Sequence, residues 1–370
     1  MKICTITCHD VYNYGASLQA FALQYYLQSL GHDVRIIDYK PDYQPNYKFS
    51  TKVSRESPLY AKYQKYPALK IIRGIKNYIE KIPTFGRKKA FENFKNQFLN
   101  LTRRYTSYHE LAEYAPEADL YITGSDQVWS TFLPNGSDPA FYLCFGPLNA
   151  KRISYSASFG YPDIKYGKDQ LVKSLLSRVD CLSVREQSGV ELLSELGYHG
   201  EQVLDPVFLL NSEEWRKALN LGCDSKYGKY LLVYDLHANT KEIADKAKEL
   251  AKQHGLKIVA VNDSAKTKYA DVNINNASPL DFVELIANAQ FVLADSFHAT
   301  SFALIFHKPM WAYYKYGNAG RIASILSIVG LADRLNTTGK VTEPNWNSVD
   351  EKIEKEIMNS KQYLVNNCNI

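Results

Sequence analysis

The 370-residue sequence contains no run of eighteen apolar residues, so no membrane-spanning helix is expected. Its first ten residues, MKICTITCHD, are too polar to read as a secretory leader. Cysteine is scarce. Six residues without regular spacing do not build a disulfide framework, and a reducing cytoplasm is the expected setting. Cys4, Cys8 and His9 stand close together, but no second ligand pair follows at zinc spacing, so no metal site is expected. Nineteen glycines and fourteen prolines are too few for a collagen-like or low-complexity chain. Nucleotide signatures are missing as well. No GxxxxGK[ST] occurs, which excludes a phosphate loop of the ATPase kind, and no GxGxxG follows the first expected strand. No Asp-x-Asp follows a strand to hold a metal–nucleotide. No two Glu seven residues apart occupy 290–325, which weakens a sugar-nucleotide reading.

What is present is the balance of a globular protein, 45% hydrophobic and 22% charged, with length for two domains. The net charge of +5 conceals an asymmetry. Residues 48–104 carry fifteen Lys and Arg against three Glu, a local +12 that leaves −7 for the remainder. A nucleic-acid binder carries its charge on the recognising fold, so no nucleic-acid partner is expected. Aromatic residues interleave the basic ones, among them Tyr60, Tyr63, Phe91, Phe94 and Phe98. The pattern fits a helical hairpin packed on the first domain with a solvated basic face. It also fits a docking surface for anionic lipid headgroups at a membrane.

Strand and helix signals alternate. Ile3–Thr7 reads as a buried strand, Ala16–Leu30 as a helix closed by Gly31, and Asp33–Tyr39 as a second strand. That spacing is a βαβ unit and implies a parallel sheet. The segment 41–104 interrupts the rhythm, with helices expected over 71–82 and 88–99. Strands follow at 119–123, 151–156 and 180–184. Asp205-Pro206 marks a boundary between domains 1–205 and 206–370. A second series then places strands at 230–234, 257–261, 291–294 and 310–313, with helices at 241–254, 279–289, 296–307, 319–329 and 352–363. The expected architecture is α/β: two Rossmann-like domains facing a cleft, with a basic helical insert in the first.

In open parallel sheets, ligands bind beyond the carboxyl ends of the strands. The residues there are Asn13 and Gly15 after the first strand, Gly124-Ser125-Asp126-Gln127 after the third, Arg185-Glu186, Asp235 and His237, and Asp295-Ser296-Phe297-His298. Each has an ordinary alternative: a turn glycine, a helix cap, a surface ion pair, a loop histidine. His298 is the sharpest. It stands one turn into a small, apolar helix directly beyond an apolar strand, where an imidazole can move protons or be a satisfied core group. Ser296 and the free amides of that helix start suit an anion. Lys315 and Arg321 are further cationic candidates.

Taken in order, Asn13-Tyr14-Gly15-Ala16-Ser17-Leu18-Gln19-Ala20, Gly124-Ser125-Asp126-Gln127-Val128-Trp129, Ser183-Val184-Arg185-Glu186, Val203-Leu204-Asp205-Pro206 and Asp295-Ser296-Phe297-His298-Ala299 resemble the polysaccharide pyruvyl transferase family. The resemblance implies a glycosyltransferase-B-like pair of domains, the first on the acceptor side and the second on the donor side. It implies transfer of the pyruvyl group of phosphoenolpyruvate to a sugar of a cell-surface polysaccharide or its lipid-linked precursor, forming a ketal without cofactor or metal. The setting would be cytoplasmic, at the inner face of the membrane. His298 then serves as acid/base, assisted by Asp295 or Asp126. Arg185 binds an oxyanion as a bidentate fork, with Ser296, Asn13, Gly15, Gly124, Ser125, His237, Lys315 and Arg321 lining the substrate site. Two other functions stay open from the residues alone, a nucleotide-sugar glycosyltransferase and a non-catalytic partner in glycan biosynthesis.

Overall fold

A computed structural model describes residues 1–41, 43, 85–236, 239–263, 265–314, 319–337 and 343–368. Most of the basic segment, including the helix expected over 71–82, lies outside the described residues.

The chain builds two five-stranded parallel sheets of the same topology. In the first, β1 (Lys2–Ile6), β2 (Asp33–Tyr39), β3 (Leu101–Tyr105), β4 (Leu120–Thr123) and β5 (Lys151–Ser154) take the order β3-β2-β1-β4-β5. A two-stranded sheet of β6 (Ser183–Val184) and β7 (Glu201–Gln202) joins the β5 edge through the bridges Ile153–Cys181 and Ala157–Val184. In the second, β8 (Tyr230–Tyr234), β9 (Lys257–Val261), β10 (Val272–Ile274), β11 (Phe291–Ala294) and β12 (Met310–Ala312) take the order β10-β9-β8-β11-β12. Strand order therefore reverses at β1/β4 and again at β8/β11, and the loops leaving those strands open the two crevices where ligands gather in such sheets.

Helices cover both faces. In the first half they are α1 (Tyr14–Ser29), α2 (Phe85–Phe98), α3 (Tyr108–Glu113), α4 (Asp169–Leu176) and α5 (Gln187–Glu195). In the second they are α6 (Ser212–Leu219), α7 (Lys241–His254), α8 (Pro279–Ala287), α9 (Phe297–Ile305), α10 (Ala319–Ile328) and α11 (Trp346–Asn367). α8 starts where the sequence places it, because Ser278 and Asp281 form a reciprocal capping box with proline at the first helical position. α1 is buried almost all round rather than along one stripe, since the first sheet, the 3-10 turn Pro206–Leu209 and α8 enclose it.

One hydrophobic cluster runs through both lobes. At its centre the Tyr14 ring stacks on Phe282 at 4.4 Å and meets Tyr234 edge-on at 5.6 Å. The buried Arg87 guanidinium lies 4.5 Å over Tyr14 and pairs with Asp263 of the second lobe at 2.8 Å. The terminal helix α11 packs back on the first lobe, where Ser360 Oγ accepts from Leu204 N at 2.9 Å and Lys151 donates to the Asn367 carbonyl at 2.8 Å.

Candidate active site

The loops at the two switch points converge on one buried cluster. Arg185 extends β6, with its N–H donating to the Ala157 carbonyl at 3.0 Å, so the side chain leaves the end of the sheet. Asp205 caps the 3-10 turn Pro206–Leu209 by accepting from Val207 N through Oδ1. Its other oxygen, Oδ2, accepts from Ser125 Oγ at 2.9 Å and Arg185 Nη1 at 2.8 Å, and lies 3.5 Å from His298 Nε2. Asp205 is only 1% exposed. Burial works against its charge, but the facing His298 and Arg185 outweigh it and hold the carboxyl far below the usual carboxylate range. Burial likewise opposes the Arg185 charge, and Glu186 and Asp205 more than restore it.

Arg185 is not the open bidentate fork expected from sequence. Its Nε donates to Glu186 Oε1 at 2.9 Å, Nη1 is taken by Asp205, and the guanidinium lies 4.9 Å over the Phe297 ring. Only Nη2, buried and without a protein partner, is left to bond a ligand. Glu186 is fixed in turn by Ser158 Oγ at 2.8 Å. Behind Ser125, its carbonyl accepts from Thr7 Oγ1, which accepts from the Gln19 amide.

His298 sits in the first turn of α9 and is 8% exposed. The edge of its ring carrying Nδ1 and Cε1 faces the backbone of Gly15 in the first turn of α1. A Cβ on Gly15 would stand 1.9 Å from Nδ1. Glycine here admits the imidazole, which differs from the substrate-lining role expected of it. Arg321, in the first turn of α10, is buried and reaches Gln127, whose amide oxygen accepts from both Nη atoms at 2.8 and 3.1 Å. Burial and then the neighbouring Arg185 charge pull its guanidinium below the ordinary arginine value. Asp126 is half-buried and adopts φ +75°, in the left-handed region that aspartate tolerates better than most residues. Its charge supports both arginines.

The remaining described candidates make contacts of their own. Asp295 is buried, and its Oδ1 accepts from Leu236 N at 2.8 Å. The carboxylate in ion-pair contact with His298 is Asp205, in place of the expected Asp295 or Asp126. Asn13 is exposed and serves as the cap of α1 through Ala16 N. Ser296 stands at the cap position of α9 without a side-chain capping bond. Gly124 N–H donates to the Ile6 carbonyl at 2.8 Å. His237 and Lys315 lie outside the described residues. Sequence reasoning overlooked Asp205, because Asp-Pro ordinarily marks an exposed turn and nothing local reveals its burial. It gave no role to Gln127, which it names only as part of the strand-end stretch Gly124–Trp129.

Residues 13–314 match the family described as polysaccharide pyruvyl transferase, which is more than three-quarters of the chain. The chain belongs to this family. The match spans Gly15, Asp126, Arg185, Asp205 and His298. No curated protein sequence matches the chain. Among solved structures, a putative UDP-N-acetylglucosamine 2-epimerase from Listeria monocytogenes superposes with a TM-score of 0.52 at 8% identity, over 98% of this chain and 89% of that one. A UDP-GlcNAc 2-epimerase from Methanocaldococcus jannaschii gives 0.47 at 12% identity, over 96% and 92%. An ADP-heptose heptosyltransferase II from E. coli gives 0.39 at 13%, over 98% and 100%. The likeness to the Listeria protein concerns fold alone, and the fold of this family member is a two-lobed, glycosyltransferase-B-like α/β arrangement with parallel sheets. No described helix is long and apolar enough to cross a membrane.

Proposed function

We propose that the protein transfers the pyruvyl group of phosphoenolpyruvate to two hydroxyls of one sugar in a glycan, forming a ketal and releasing phosphate. The observation that carries this reading is the shared carboxylate oxygen of Asp205, which holds Arg185 and His298 together where the strand ends of both lobes meet. Phosphoenolpyruvate has a carboxylate and a phosphate. Arg185 Nη2, the Arg321 guanidinium and the amides at the starts of α9 and α10 supply cationic and oriented donors for them.

His298 protonates the methylene carbon, and cation character develops at the adjacent carbon. A sugar hydroxyl attacks there and gives up its proton, which restores the acid. The second hydroxyl then displaces phosphate, which carries the second proton away. Asp205 faces Nε2 of the ring across 3.5 Å throughout. In this reading the donor lies between the lobes and the acceptor enters over the first. The donor is an intracellular metabolite, so we assign the reaction to the cytoplasmic side of the membrane.

Phosphoenolpyruvate should raise the thermal midpoint, because a ligand that binds only the folded chain stabilises it by mass action. Arg185→Ala should abolish the rise. His298→Ala should keep the fold and lose about 10² to 10⁴ in turnover, the usual worth of a general acid. A rise with nucleotide-sugars alone, or unchanged turnover without His298, would overturn the assignment.

A further inference from the structure

Phe132 and Tyr161 are 47% and 40% exposed, and their ring centroids lie 4.6 Å apart at 51°. Among the described residues this is the one contact between two exposed aromatic rings. Single exposed apolar side chains are ordinary, but a paired set held open to water points to a partner.

The pair is held by two loops that are stitched together. Phe132 follows β4 and Tyr161 follows β5, so both stand at the carboxyl edge of the first sheet. Trp129 N donates to the Ser158 carbonyl at 3.1 Å, Ser158 N to the Asp126 carbonyl at 3.1 Å, and Lys165 N to Thr131 Oγ1 at 2.8 Å. A platform fixed in this way loses little freedom when it binds. It is also continuous with the cluster around Asp205. Gly160, just before Tyr161, donates from its N–H to Ser158 Oγ, the group that bonds Glu186 beside Arg185. On its other side Gly160 packs on Gln127, which holds Arg321.

We propose that Phe132 and Tyr161 form a stacking platform for a pyranose ring of the acceptor glycan. A pyranose has one face of C–H groups and a rim of hydroxyls. Two tilted rings cover the first and leave the second to water and to the polar cluster alongside. The choice of ligand rests on the glycan-transfer reading above.

The test is saturation transfer from protein to ligand, by NMR, with methyl glucopyranoside, galactopyranoside, mannopyranoside and 2-acetamidoglucopyranoside in turn, and with uridine for comparison. The intact protein should transfer to the ring C–H protons of at least one pyranoside. Phe132→Ala/Tyr161→Ala should lose about tenfold of that signal, the equivalent of a stacking contact near 1.4 kcal/mol, and Tyr161→Phe should keep it. An unchanged signal in the double variant, transfer to uridine alone, or no transfer to any pyranoside overturns the platform. The thermal response to phosphoenolpyruvate, measured on the same samples, checks the fold of the variants. Its absence in the intact protein would sink the pyruvyl reading while leaving the pyranoside result to stand or fall separately.

Discussion

The two lobes have the same strand order but equip their strand ends differently. The first supplies a hydrogen-bonded set of charges, Arg185, Glu186 and Asp205, with Ser125 and Ser158, each less than a tenth exposed. The second supplies helix starts, with His298 in the first turn of α9 and Arg321 in the first turn of α10. Neither set is complete alone. Asp205 needs the second lobe's imidazole, and His298 fits only because the first lobe presents a glycine. A repeated topology therefore does not imply repeated chemistry, since the buried charged cluster belongs to the seam between the lobes.

That division can be broken at its hinge residue. Asp205→Ala leaves the Arg185 charge buried with one partner fewer, and loss of one member of a buried ion pair costs about 3 to 5 kcal/mol. The matching change in the second lobe, Asp295→Ala, removes the acceptor of the Leu236 amide and should cost about 1 to 3 kcal/mol. Urea unfolding of both variants decides it. A larger loss at Asp295 would mean that the first lobe is not where charge burial is concentrated.

A finer probe is Gly15→Ala. Within a helix this change ordinarily stabilises by about 1 kcal/mol. Here the new methyl must displace the His298 ring, and a misplacement on the ångström scale costs about 10²-fold in turnover. In a His298→Ala background the obstruction is gone, so the same change should be neutral or stabilising. Equal effects in both backgrounds would show that the ring and the glycine are not coupled.

The smallest expected effect lies at the first lobe's edge, away from the seam. Burial opposes the Asp38 charge, but His9 at 3.3 Å and Arg104 at 3.0 Å bring its carboxyl down to about 2. The unfolded chain, with its carboxyl near 3.9, then binds the proton more readily. Stability contributed by Asp38 is thus full above about pH 4 and lost as pH falls through about 2. Asp38→Asn should flatten that part of the urea midpoint against pH. An identical acid profile would show that the network contributes nothing there.

The sequence made the central strands and His298 legible because both depend on local pattern. β8 (YLLVY) is buried at every residue, and its apolar run says so. β3 (LTRRY) and β10 (VNI) escaped because they are edge strands, covered less and free to carry arginine or asparagine. α6 escaped although Asn211 and Glu214 form a capping box, since its charged face hides a short apolar pair, Trp215 and Leu219. At the site, Arg185 and His298 were visible as strand-end residues. Their link was not, because Asp205 is separated from them by 20 and 93 positions and acts only through burial.

The return of α11 to the first lobe has a kinematic consequence. The polypeptide passes between the lobes twice, once beyond Asp205 and once on its way to α11. Two such tethers define an axis. Sliding one lobe over the other would stretch a tether, whereas turning about the line through both would not. Any turning of one lobe on the other would thus be confined to a single angle, like the covers of a book about its spine, and such a turn would change the separation of the His298 imidazole from the Arg185 guanidinium.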